Sequence, residues 1–216
     1  MHYLAFCSYE DFLFGELIQA VEEKGELENT VIVFLSDHGD YMGEHGLWAK
    51  GLPCFQSAYH IPLLIRWPDA SVKPGRSVDD FVSLADMAPT FLEMAGVCTE
   101  RKFTGNSLVP LLKGEKPENW RREIYTQTNG NELYGIQRSV MTREWKYVYN
   151  GFDYDELYNL QKDPYEMKNL INDSQYKDIV KQMCKKMWQF ARAHGDVCFN
   201  SYIMTALAPY GPGIIL

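Results

Sequence analysis

The run Ser36-Asp37-His38-Gly39-Asp40-Tyr41-Met42-Gly43-Glu44-His45-Gly46-Leu47-Trp48-Ala49-Lys50 gathers a carboxylate, an imidazole and an ammonium group in one short stretch. Asp37 offers charged oxygen to a divalent cation, His38 offers a nitrogen ligand or an orienting hydrogen bond, and Lys50 is a point charge suited to a tetrahedral oxyanion. A plainer reading makes Asp37 a turn cap, His38 a satisfied buried histidine and Lys50 a solvated surface cation.

The elements that would position these groups follow from the flanking residues. Val31-Ile32-Val33-Phe34-Leu35 is apolar and rich in β-branched side chains, then turns polar at once. It predicts a strand over 31–36, buried on both faces of a mostly parallel sheet. In open α/β sheets, sites lie beyond the carboxyl ends of the strands, where Asp37 and His38 fall. Gly39, Gly43 and Gly46 allow the following loop to fold back sharply. Upstream, Phe12, Leu13, Leu17, Ile18 and Val21 recur at helical spacing, which predicts an amphipathic helix over 9–24 feeding the strand.

The run Ser36 to Lys50, followed by His60-Ile61-Pro62-Leu63-Leu64-Ile65-Arg66-Trp67-Pro68, resembles the second half of the sulfatase family within the alkaline-phosphatase-like superfamily. Glu156-Leu157-Tyr158-Asn159-Leu160-Gln161-Lys162-Asp163-Pro164-Tyr165-Glu166-Met167-Lys168-Asn169-Leu170 resembles the C-terminal signature of that family. The resemblance implies that Asp37 and His38 are metal ligands, with calcium the expected ion, and that Lys50 contacts the sulfate group. His45 is the remaining candidate for a catalytic group; a loop-shaping role is favoured for it and for Glu44.

The resemblance also implies a formylglycine nucleophile made from a Cys-x-Pro-x-Arg or Ser-type motif. None of Cys7, Cys54, Cys98, Cys184 or Cys198 is followed by Pro and Arg at those offsets. The reading is therefore the C-terminal portion of a sulfuric ester hydrolase, inactive alone, acting on a sulfated sugar or aryl sulfate. One alternative is a phosphonate monoester or phosphodiester hydrolase of the same superfamily. Another is a truncated, non-catalytic protein or binding domain. The expected partner, besides substrate, is the missing N-terminal half or a second copy of the chain.

Composition narrows the rest. With 46% hydrophobic and 14% aromatic residues, the sequence is that of a globular protein. Its 21 basic and 29 acidic residues give a net charge of −8 without a basic run, so nucleic acid is not an expected partner. Five scattered cysteines form no disulfide framework. No apolar run reaches the roughly 18 residues of a membrane span. The compartment stays open: family members are often extracytoplasmic, yet Met1-His2-Tyr3-Leu4 lacks the pattern of a signal peptide.

The remaining chain predicts an α/β architecture: the C-terminal part of an alkaline-phosphatase-like mixed sheet with flanking helices over 1–115, then a small antiparallel sheet packed on a long helix over 116–195, then an extended apolar tail over 196–216. A second strand is expected at 61–67, a third at 79–84, and a helix from 83 to 94 whose N-terminus Asp86 caps. Phe103 to Lys113 reads as a loop and one helical turn. Runs at 123–128, 135–142, 145–149 and 156–159 predict an antiparallel meander, and 174–194 a helix with Ile179, Val180, Met183, Met187, Phe190 and Ala191 on one face. Tyr147, Tyr149, Tyr154 and Tyr158 suit either sugar stacking or sheet packing. The truncated sheet is expected to leave an edge or apolar face for the tail or another copy to cover.

Overall fold

The structure is a computed structural model that describes residues 2–69, 71–130, 135–151, 153–199 and 210–215. The first helix, α1 (His2–Glu23), leads into strand β1 (Ile32–Leu35). A long loop and a one-turn helix, α2 (Gln56–Tyr59), separate β1 from β2 (Leu63–Arg66). These two strands pair antiparallel, with Val33 opposite Ile65 and Leu35 opposite Leu63.

Alternation along this pair explains why its two sides differ. Val33, Leu35, Leu63 and Ile65 pack toward Met87, Leu108 and Leu111 of the following helices. On the other side, the Phe34 ring meets Phe14 of α1, edge to face at 5.2 Å. Leu64 there is 62% exposed. The parallel, doubly buried strand expected over 31–36 is thus half-covered and antiparallel among the described residues. A short apolar run carries no information about strand direction; the neighbouring strand decides it.

Helices α3 (Met87–Met94) and α4 (Val109–Lys113) cover the packed side. Ser83 and Asp86 form a capping box ahead of α3, the Ser83 hydroxyl accepting from Ala85 N and the Asp86 carboxylate accepting from Ser83 N. Asp86 is completely buried and also holds Asn106 N and the Arg121 guanidinium. The strand expected at 79–84 is irregular backbone instead. Two of its carbonyls are taken by side chains that a ladder would have to displace, Asp79 O by Arg143 and Phe81 O by Trp120 Nε1.

Strands β3 (Ile124–Thr128), β4 (Gln137–Met141), β5 (Trp145–Asn150) and β6 (Glu156–Asn159) make a four-stranded antiparallel meander in that order. Its two faces meet different elements. Val140, Tyr147, Tyr149 and Leu157 point to Val180, Met183, Met187 and Trp188 of α5 (Lys177–Ala193), the main core of the molecule. Gln137, Ser139, Lys146, Val148 and Tyr158 occupy the opposite, equally buried face. There Tyr158 packs against Tyr41, Phe55 and Ala58 of the β1–β2 connection. Tyr147, Tyr149 and Tyr158 are therefore packing residues, and Tyr154 stands exposed.

His194 ends α5, its Nδ1 donating to Phe190 O at 2.9 Å. Most of the tail, including 200–209, lies outside the described residues. Its described end, a single 3-10 turn at Pro212–Ile215, packs against α5, with Tyr210 O accepting from Trp188 Nε1 at 2.8 Å. Phe14, Ile18 and Val21 of α1 are half-buried, whereas Leu4, Phe6, Phe12 and Leu17 are exposed, and no residue of the helix is fully buried.

Candidate active site

The polypeptide leaves β1 at Ser36 and enters a nested loop whose ends are tied together. Tyr41 N donates to Ala49 O at 2.9 Å and Gly43 N to Leu47 O at 2.8 Å. The Tyr41 ring is the anchor, 1% exposed, with its hydroxyl donating to Gly51 O and Pro53 O. Burial, then the neighbouring Tyr59 and Cys54, pushes that phenol far above its usual range, so it stays a neutral donor. The tight turns need left-handed backbone at Gly43 and Gly46, as their residue type allows, but also at Met42, His45 and Ala49.

Asp37, His38 and Lys50 meet at the mouth of this loop. His38 Nδ1 lies 2.8 Å from Gly39 O, a carbonyl that can only accept, so Nδ1 carries the ring proton. The lone pair on Nε2 is then the acceptor, and Lys50 Nζ donates to it at 2.7 Å. An Asp37 carboxylate oxygen stands 3.5 Å from the same nitrogen. The Asp37 side chain is 82% exposed and that of His38 39% exposed, so the cluster faces outward. His45 is turned to a different task, its ring stacked on Phe55 at 3.7 Å with only 7° between the planes.

This arrangement suits one side of a cation and oxyanion site. A histidine that donates Nδ1–H to a backbone carbonyl presents Nε2 in the orientation metal-binding histidines use. The donor set is nevertheless incomplete: among the described residues, no group of three or more His, Cys, Asp or Glu side chains comes together as a metal cage. A calcium ion takes six to eight oxygen ligands. Asp37 and His38 fit a part of such a shell and do not complete it.

The loop is braced from behind by backbone contacts and by the meander. Gly39 N donates to Ala58 O at 2.8 Å, and a Cβ on Gly39 would sit 2.1 Å from Ser57 O. The approach of these two segments requires glycine for reasons of space. Cys54 N donates to Gln137 Oε1 of β4 at 3.0 Å, and Cys54 O accepts from Lys146 Nζ of β5. Lys146 also pairs with Glu166, whose other oxygen accepts from Gln56 N at 2.7 Å. The Ser57 hydroxyl, buried in the same place, has no hydrogen-bond partner among the described residues.

Glu166 belongs to the C-terminal signature, and Asp163 and Asn169 of that signature are likewise structural. Asp163 caps its turn by accepting from Met167 N and Lys168 N. The Asn169 carboxamide accepts from Leu157 N and Ile171 N. Sequence reading did not single out Lys146 or Tyr41. A Lys flanked by Trp and Tyr in a strand that is buried on both faces was the available signal.

The comparisons with known proteins agree on one family. The model of the N-sulphoglucosamine sulphohydrolase C-terminal family matches residues 43–193. An N-acetylglucosamine-6-O-sulfatase of Bacteroides thetaiotaomicron is 33% identical over 205 residues, 90% of this chain and 36% of that protein. Arylsulfatase K of Xenopus laevis is 36% identical over 196 residues, 86% of this chain and 36% of that one. This chain thus spans about a third of the length of these curated relatives. A protein solved in complex with its substrate D-glucosamine-2-N,6-O-disulfate superposes with a TM-score of 0.78 at 30% identity, covering 85% of this chain and 38% of that one. The phosphonate monoester hydrolase of Agrobacterium radiobacter gives 0.79 at 30% identity, covering 85% and 39%. The chain belongs to the N-sulphoglucosamine sulphohydrolase C-terminal family, the C-terminal region of sulfatases with the alkaline-phosphatase-like fold.

Proposed function

We propose that this chain is the C-terminal part of a sulfuric ester hydrolase and that Asp37, His38 and Lys50 form one wall of its sulfate site. The observation that carries the reading is the convergence of Lys50 Nζ and the Asp37 carboxylate on His38 Nε2, at 2.7 and 3.5 Å. On leaving the His38 Nε2 lone pair to which it donates here, Lys50 would bind sulfate oxygens as a point charge, and that lone pair with the Asp37 carboxylate would then hold a divalent cation, calcium by family precedent. When bound, such a cation neutralises charge on the ester oxygens. The Gly39 carbonyl keeps the imidazole in the tautomer that offers Nε2 outward. The substrate class is a sulfated sugar or an aryl sulfate, the chemistry carried in the names of the relatives.

None of these three groups is a nucleophile, and no Cys or Ser followed by x-Pro-x-Arg occurs in the sequence. The chain alone is therefore proposed not to turn over. A second reading, hydrolysis of phosphonate monoesters, is supported by the equal superposition on the phosphonate monoester hydrolase. The test is a chimera that joins the first two thirds of the Bacteroides sulfatase to this chain. It should cleave 4-nitrophenyl sulfate, and Asp37→Asn, His38→Ala and Lys50→Ala should each lower kcat/KM by about 10²-fold, the scale of one electrostatic contact in such sites. Unchanged rates in all three variants would overturn the site. Faster cleavage of a phenyl phosphonate monoester than of the sulfate would select the second reading.

A further inference from the structure

We infer that the buried Lys146–Glu166 pair is the positioning device of the site, setting the orientation of His38 from the far side of the loop. The inference rests on the site proposed above and adds to it two residues from outside the Asp-His motif.

Lys146 and Glu166 are 3% and 3% exposed, and their side chains meet at 2.5 Å. A charge pair this deep is retained against a high desolvation cost, and its remaining donors and acceptors need partners. Among the described residues, the further side-chain hydrogen bonds of the pair go to one stretch of backbone. Lys146 Nζ donates to Cys54 O, and Glu166 Oε2 accepts from Gln56 N. The pair thus grips Cys54 and Gln56, with Gln137 of β4 holding Cys54 N.

The gripped stretch is the one against which the site loop rests. Pro53 O receives the Tyr41 hydroxyl, Ser57 O fills the space beside Gly39, and Ala58 O receives Gly39 N. Gly39 in turn supplies the carbonyl that fixes the His38 tautomer, and Tyr41 N holds Ala49 next to Lys50. The chain of contacts from Glu166 to Gly39 runs through backbone groups and buried side chains, and only its last link, the His38 ring on Gly39 O, is half-exposed. Glu166 itself adopts φ +56°, a left-handed conformation uncommon for its residue type, and its turn is held there by Asp163.

Neither Lys146 nor Glu166 touches the mouth of the site, so they are positioning residues, and the readout must report on His38 rather than on overall stability. Wild-type chain, Glu166→Gln and Gln56→Pro are compared by 15N shifts of the imidazole at about pH 8.5, above the usual histidine range, and by amide exchange. Gln56→Pro removes the N–H that Glu166 accepts, together with the Gln56 side chain, at the first position of α2 where proline is tolerated, and serves if Glu166→Gln does not fold. The control is Arg138→Met, which breaks the buried Arg138–Asp196 pair on the opposite face of the same sheet.

Wild type should show a protonated Nδ1 and an unprotonated Nε2. Both test variants should shift the ring toward a mixture of tautomers and speed exchange at Gly39 and Tyr41 about tenfold beyond the control. Equal acceleration in variants and control, with the His38 shifts unchanged, overturns the positioning role while leaving the site reading intact. A wild-type ring protonated at Nε2 overturns the site reading itself.

Discussion

Replacing Gly39 by alanine tests whether the site loop is held by close backbone approach. The φ of Gly39 is not in the left-handed region, so alanine is conformationally admissible and only space opposes it. Its Cβ would lie 2.1 Å from Ser57 O and 3.2 Å from Ala58 Cα. An ordinary C···O contact is about 3.3 Å, so the two segments must part by about 1 Å. That separation breaks the 2.8 Å bond from Gly39 N to Ala58 O and strains the packing around it. Overpacking costs about 1–3 kcal/mol and an orphaned buried backbone group about 1–3 kcal/mol, for a total of about 2–6 kcal/mol. Urea unfolding followed by circular dichroism measures this directly, with Gly15→Ala as a companion. Gly15 sits inside α1 with nothing within 4 Å of an added Cβ, so that change should stabilise by about 0.5–1 kcal/mol. A Gly39→Ala protein within 0.5 kcal/mol of wild type would refute the reasoning.

Other outcomes follow from the same contacts. Ser57→Ala removes a buried hydroxyl without a partner and should raise stability by about 1 kcal/mol in urea melts; a loss of that size would reveal a hidden partner. Burial alone would raise the Asp196 carboxyl, but hydrogen bonds from Arg138 and Cys198 N carry it below the usual carboxylate range. The stability contributed by Asp196 is then fully present above the unfolded carboxylate value of about 3.9 and fades as pH falls through the lower folded value. Arg138→Met should therefore flatten the acid limb of the stability profile below about pH 4, and an unaltered limb would count against the pair. Burial pushes the Cys184 thiol up to about 12 and the Cys198 thiol up to about 11, whereas Cys7 and Cys98 are exposed. Thiol titration of the folded protein should show two fast groups, and rapid labelling of all five only after denaturation.

Local pattern made the meander and α5 legible in advance. Period-two runs with short polar turns cannot accommodate crossover helices, and the apolar face of α5 repeats at helical spacing over its whole length. The direction of β1 was not legible, because an apolar tetrad fits parallel and antiparallel neighbours equally. The 79–84 run failed for a related reason: Trp120 and Arg143, distant in sequence, take the carbonyls a ladder would need.

At the site the division is sharper. Residue type and order singled out Asp37, His38 and Lys50 as the proposed site and the glycines between them as its turns, since turn chemistry and charge are properties of the residues themselves. Which nitrogen of His38 faces outward, why Gly39 tolerates no side chain, and why a lysine and a glutamate from another part of the chain are buried behind the loop depend on how segments pack, from the neighbouring Gly39 carbonyl, through Ser57, to the bond from Gln56 to Glu166 across 110 positions of sequence. Such contacts exist only once the sheet and the loop have packed together, and no local regularity encodes them.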